Sequence, residues 1–100
     1  MSQITHGCQL PVPIKIEGES YSNVTLHALT ISDSYEAVAS AGEGQMISLI
    51  ELAAMCEPDG LDRRLTYAEL AASSNQNAKA LFAAREELEK KERGQPSESA

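Results

Sequence analysis

Leu10-Pro11-Val12-Pro13-Ile14-Lys15-Ile16, then Glu17-Gly18-Glu19, then Ser20-Tyr21-Ser22-Asn23-Val24-Thr25-Leu26-His27-Ala28-Leu29 is the stretch that decides the fold. Leu10, Val12, Ile14 and Ile16 alternate with Pro11, Pro13 and Lys15, and after the turn Val24, Leu26 and Ala28 alternate with Asn23, Thr25 and His27. Period two on both sides of a glycine turn predicts an antiparallel β-hairpin over about 9–29 with one buried face. Pro11 and Pro13 donate no ladder hydrogen bonds, so the first strand is expected at an edge with both prolines turned the same way. A two-stranded hairpin is marginal by itself and needs cover on its apolar face. The helices that follow must provide it.

Working outward, residues 1–9 read as a lead-in. A short helix is expected over 33–41, with Asp33-x-x-Glu36 as a box-like cap and Gly42 and Gly44 ending it. A second helix, over 45–56, carries Met46, Ile47, Leu49, Ile50, Leu52, Ala53 and Met55, so apolar residues cover more than half its circumference and it is expected to be central. Glu57-Pro58-Asp59-Gly60 then reads as a turn. Thr66-x-x-Glu69 is a capping box opening a third helix over 66–72. Beyond it the polar run Ser73-Ser74-Asn75-Gln76-Asn77 leaves two readings open. Either one helix runs from Thr66 to Glu92, or a new helix over 75–92 begins after a break, capped by Ser73-x-x-Gln76. Ser and Asn favour caps over helix interiors, which favours the break. The last helix is expected to turn Ala78, Leu81, Phe82, Arg85 and Leu88 to one face, with exposed pairs Glu86–Lys90, Glu87–Lys91 and Glu89–Arg93. The tail 93–100 has nothing to bury and is expected to be disordered. The fold class is therefore α+β: an N-terminal hairpin packed on three to four helices, in a single domain over 1–92.

Composition narrows the function. With 100 residues the chain can bury roughly two-thirds of its extended surface. The core is aliphatic, because there is no Trp and only one Phe and three Tyr. Exposed aromatics for base stacking are therefore scarce. The net charge of −7 is unevenly spread: residues 1–62 hold nine acids and the single base Lys15. Such a surface repels a phosphate backbone, so no nucleic-acid partner is expected despite Arg63-Arg64 and Lys90-Lys91-Arg93. No apolar run is long enough for a membrane span, and no charged-then-apolar leader opens the chain, so a cytosolic chain with Cys8 and Cys56 as free thiols is expected.

Chemical motifs are scarce. His6-x-Cys8 offers two metal ligands at an end of the chain, too few for a closed site. His27 falls on the polar face of its strand. Cys56, on an apolar helix, reads as a core residue rather than a nucleophile. Glu57, Asp59 and Asp62 around Gly60 lack calcium-loop spacing. Neither a Gly-x-Ser-x-Gly nor a phosphate-cradling loop occurs, and Gly42-Glu43-Gly44 alone does not make one. No catalytic residue, metal or cofactor is expected.

The order of elements resembles that of the small tail assembly chaperones of Mu-like and P2-like contractile-tailed phages. The matching segments are Leu10-Pro11-Val12 through Glu17-Gly18, Val24 through Thr30 with Asp33, Leu49-Ile50-Glu51-Leu52-Ala53-Ala54, and Leu65-Thr66 through Leu70. Members often carry an acid where this chain has Asn77, ahead of Leu81; Asn is expected to keep a capping role there. The resemblance implies a non-catalytic late protein of the host cytoplasm, absent from the mature virion. It would bind the tape measure protein and keep it soluble while tail tube protein assembles around it. Partner contact is expected at Val12, Ile14, Met46, Ile50, Met55, Leu81 and Phe82, where an edge strand and an adaptable Met helix can take up another chain. Self-association is compatible with such surfaces. The alternatives are a small tail or head completion protein, and an adaptor or regulator of unknown target.

Overall fold

The computed structural model describes residues 4–94. Its elements are β1 (Thr5–Ile16), β2 (Glu19–His27), α1 (Ile31–Ala39), α2 (Ile47–Met55), β3 (Cys56–Pro58), α3 (Tyr67–Ala71) and α4 (Asn75–Glu92). The α+β class holds, with the antiparallel hairpin at its N-terminal end. β1 and β2 meet through a two-residue turn in which Glu17 (φ 50°) and Gly18 (φ 86°) are both left-handed, the pattern whose twist suits a hairpin.

β1 starts four residues earlier than its alternation suggests, taking in most of the expected lead-in. It is an edge strand, as expected, and both its prolines are exposed. The inward alternation breaks at Val12. Gln9 lies opposite Asn23, but Ile14 lies opposite Tyr21. Residues 10–13 thus face the single residue Ser22, a wide bulge placed where two prolines cannot join the ladder. Leu10, Ile14 and Ile16 are buried at 4–5% exposure, whereas Val12 is 41% exposed. The expectation that Val12 shares the covered face is therefore corrected.

The sheet has three strands in the order β1-β2-β3. Cys56 and the first residues of the expected turn form β3, with Leu26 opposite Cys56 and Val24 opposite Pro58. Pro58 is tolerated as the last residue of an edge strand. Asp59 N–H donates to the Asn23 carbonyl at 2.8 Å and Leu65 N–H to the Cys56 carbonyl at 2.9 Å, so a returning loop covers the far side of β3. On the opposite edge, Lys91 Nζ donates to the Thr5 carbonyl at 3.2 Å.

The starts of α1, α3 and α4 follow the capping rules, with two shifts of residue, while α2 begins at Met46 without a side-chain cap. Thr30, not Asp33, caps α1: its hydroxyl accepts the Asp33 N–H while the Asp33 carboxylate accepts the Thr30 N–H, both at 3.1 Å. That moves the helix two residues earlier than expected. α3 opens on the predicted Thr66/Glu69 box. The chain breaks before α4, as favoured, but Ser74 is the cap and accepts the Gln76 N–H at 3.1 Å. Ser73 instead donates to the Leu70 carbonyl at 2.8 Å.

α2 provides Ile50, Leu52, Ala53 and Met55 to the interior, while α1 has no buried residue. α4 lies along β1 and turns Asn77, Leu81, Ala84 and Leu88 inward. This stripe is rotated from the expected one, leaving Phe82 and Arg85 half-buried. The ion pairs on α4 also differ: Arg85 binds Glu89 at 3.2 Å and Lys90 binds Glu87 at 3.3 Å. One apolar cluster joins Leu10, Ile14, Ile16, Val24 and Leu26 of the sheet to Leu52, Met55, Leu81 and Leu88 of the helices. Arg93 and Gly94 close α4; the rest of the expected disordered tail lies outside the described residues.

Candidate functional site

Of the residues expected to meet a partner, Ile14, Ile50, Met55 and Leu81 belong to the interior, at 8% exposure or less. Their side chains pack mainly into the core, Ile14 also lying at the wall of a groove. Val12 and Met46 are 41% and 61% exposed, and Phe82 is half-buried against the core. These three border two grooves. A groove of about 530 Å³ runs between Val12, Pro13, Ile14 and Lys15 of β1 and Ala68 and Ala72 of the α3 region, with Glu69 on its wall. A second, of about 310 Å³, lies among Met46, Leu49, Leu70, Ala71, Ala78 and Phe82. Ser73 and Ser74 line both, so the grooves meet at the α3–α4 corner.

The corner is held rigidly from below. Asn77 is fully buried, and its Oδ1 accepts the Val12 N–H at 3.0 Å while its Nδ2 donates to the Val12 carbonyl at 2.7 Å. Pro11 and Pro13 have no N–H, so the side chain of Asn77 stands in for the missing strand partner of the bulge. Asn77 is thus a strut inside α4, not a cap as the sequence suggested. Its signal was available: the Leu81/Leu88 stripe, extended back one turn, lands on it. On the other side, the Tyr67 hydroxyl accepts the Met46 N–H at 3.4 Å, tying the start of α2 to α3.

Two charged residues, Lys15 and Glu69, are among those lining the grooves. Glu69 is the one acid among the lining residues, and Arg63 grips both its oxygens at 3.0 and 2.7 Å. Arg63 and the Thr66 N–H hold its carboxyl down at about 2. Lys15, on the wall of the larger groove, is exposed and makes no hydrogen bond or ion pair among the described residues; Lys79 of α4 is likewise exposed but lines neither groove. Sequence reasoning passed over both lysines because neither belongs to a motif.

The other chemical groups are engaged in tying elements together. Ser34 of α1 donates to Glu51 of α2 at 2.5 Å, and Arg85 of α4 binds the other oxygen of Glu51 at 3.0 Å. The Ser34 hydrogen bond, with Arg85 behind it, keeps the Glu51 carboxyl below its ordinary range. His27 and Arg64 both reach Glu57, at 2.9 and 3.1 Å, and Thr25 donates to Asp59 at 3.0 Å. Burial pushes the Cys56 thiol up to about 12 and also raises that of Cys8, and both cysteines are free. Among the described residues, no three of His, Cys, Asp or Glu gather closely enough to hold a metal ion. No helix there is long and apolar enough to cross a membrane.

Chemically, the corner presents apolar side chains along two grooves over a hydrogen-bonded frame. The chain matches no family model, no curated protein and no solved structure among those it was compared with.

Proposed function

We propose that the chain is a non-catalytic phage tail assembly chaperone that binds the tape measure protein in the host cytoplasm. It holds that long helical chain soluble while tail tube protein polymerises around it, and it is left behind when the particle is complete. One observation carries the reading: exposed Val12 and Met46 and half-buried Phe82 collect around two grooves that meet at one corner. An apolar groove between helices suits an amphipathic helix inserting its i, i+3 and i+4 side chains. The order of elements supports the same assignment through its resemblance to that family.

Co-expression tests it. With the chain present, the tape measure protein of the same phage stays in the soluble fraction; a Val12→Gln/Met46→Gln double variant, altered only at exposed positions, lets it precipitate. Mass spectrometry of purified particles should lack the chain. Its presence there at stoichiometric level would make it a structural tail or head component instead.

A further inference from the structure

From the way α1 is held, we infer that it is a latched lid. It leaves the body of the protein as a unit when the Ser34–Glu51 hydrogen bond breaks, uncovering an apolar floor of Leu29, Ala54 and Met55. The device belongs to this chain alone and does not rest on the chaperone reading. In the closed position α1 packs mainly on α2. None of its nine residues is buried, and only Ser34, Ala37 and Val38 are half-buried. Its bulkiest apolar side chains, Ile31 and Tyr35, are 91% and 75% exposed, so they add little to its hold. Two grooves flank the helix. One, of about 590 Å³, has Asp33 and Ala37 on one wall and Leu29 and Ala54 opposite. The other, of about 200 Å³, sets Ile31 and Ser34 against Leu29 and Met55. Leu29 lines both, so the grooves share a floor at the root of the helix.

Among the described residues, one hydrogen bond ties α1 to another element: the Ser34 hydroxyl donates to Glu51 Oε2 at 2.5 Å. Arg85 of α4 grips the other oxygen of Glu51 at 3.0 Å, so the acceptor stays fixed to the body when α1 moves. The segment also has places to bend. The chain is anchored at Ala28, whose N–H donates to the Ile4 carbonyl at 3.1 Å, and again at Met46, whose N–H donates to the Tyr67 hydroxyl at 3.4 Å. Between these anchors, residues 42–45 are all exposed, and Gly44 takes a φ of 84°, which glycine adopts without strain. Freed from α2, a helix this short is marginal in water, so the lid unwinds as it leaves.

Methionine oxidation and native hydrogen exchange on the full chain test this. Dilute hydrogen peroxide converts an accessible thioether to the sulfoxide. Met55 is 3% exposed and reports on the floor, while Met46, at 61%, is an internal control. Ser34→Ala should speed both Met55 oxidation and exchange of the α1 amides about tenfold, the scale of one hydrogen bond to a charged group. Met46 oxidation and α4 exchange should stay as they are. Ser34→Thr, which keeps the hydroxyl, should bring both rates back toward those of the unaltered chain. The sign separates a latch from simple fraying, because Ala is the better helix former. A helix that only frays would exchange more slowly in Ser34→Ala. Slower or unchanged α1 exchange in that variant therefore overturns the inference. So does faster α1 exchange that leaves Met55 no more reactive, since the lid would then cover no floor. Met55 oxidation that rises only in step with α4 exchange overturns it too, because the floor would then open by global unfolding alone.

Discussion

Asn77 and Val12 exchange two hydrogen bonds, side chain to backbone, across 65 positions of sequence, at 3.0 and 2.7 Å. An amide carries a donor and an acceptor on separate atoms spaced like those of a peptide group, so it can replace a strand partner where an ionised acid, which only accepts, cannot. Val12, lifted out of the sheet by the bulge, therefore has its own N–H and carbonyl satisfied from inside the fold.

Removing that clamp should be costly. Asn77→Ala leaves both Val12 groups without their partner and is expected to lower unfolding stability by about 2–4 kcal/mol in urea titrations. Asn77→Asp should be worse at pH 7 than at pH 4. Burial raises the pKa of such an acid above its unfolded value of about 3.9, so the folded state binds the proton more tightly and stability falls as pH rises past that value. A pH-independent loss would mean that the position is reached by water.

Leu81→Ala and Met46→Gln separate interior from surface among the residues first expected to meet a partner. Leu81 is fully buried, so its truncation should cost about 2–5 kcal/mol. Met46 is mostly exposed, and its replacement should change stability by no more than about 0.5 kcal/mol. Thermal or urea unfolding followed by circular dichroism checks both.

Acid should loosen the α3 end of the molecule through Glu69. Its carboxyl lies at about 2 when folded, held there first by Arg63, against an ordinary value of 4.5. A depressed carboxylate stabilises above its unfolded pKa, and that contribution is lost as pH falls from about 4.5 toward 2. Glu69→Gln keeps the capping geometry but not the ion pair. Its urea midpoint should therefore lie below that of the wild type at pH 7 and converge with it at the acid end of this window.

Thiol labelling gives a fourth check. Because burial holds Cys56 up at about 12, iodoacetamide at pH 8 should leave it unmodified in the native chain. Peptide mass spectrometry should find it alkylated only in step with global unfolding. Rapid native labelling would place Cys56 outside the interior.

Hydrogen exchange should rank the helices. With no buried residue in α1, its amides have the least to lose on opening and should exchange ahead of those in α2 and α4.

Local chemistry explains which parts of this architecture could be read in advance. The hairpin was legible because alternation and turn residues act within a few positions, and α3 because Thr66 and Glu69 cap each other directly. α1 uses the same box at Thr30 and Asp33, but Asp33 was read as the cap rather than as its reciprocal partner. β3 was not legible: three residues ending in proline become a strand only because β2 offers them an open edge. Val12 misled for a related reason, since alternation assumes a regular ladder and two prolines prevent one. Of the candidate site, Val12, Met46 and Phe82 were within reach of sequence, but Ile50, Met55 and Leu81 have the same apolar chemistry whether they fill a core or greet a partner. Burial separated them.

The two margins of the sheet carry one more consequence. A loop amide at Leu65 occupies the rim of β3, while on β1 a lysine tip sits on Thr5 and the proline bulge interrupts the strand midway. Neither rim presents a long, flat template on which further chains could stack. With both margins closed in this way, edge-to-edge pairing with strands of other chains is disfavoured.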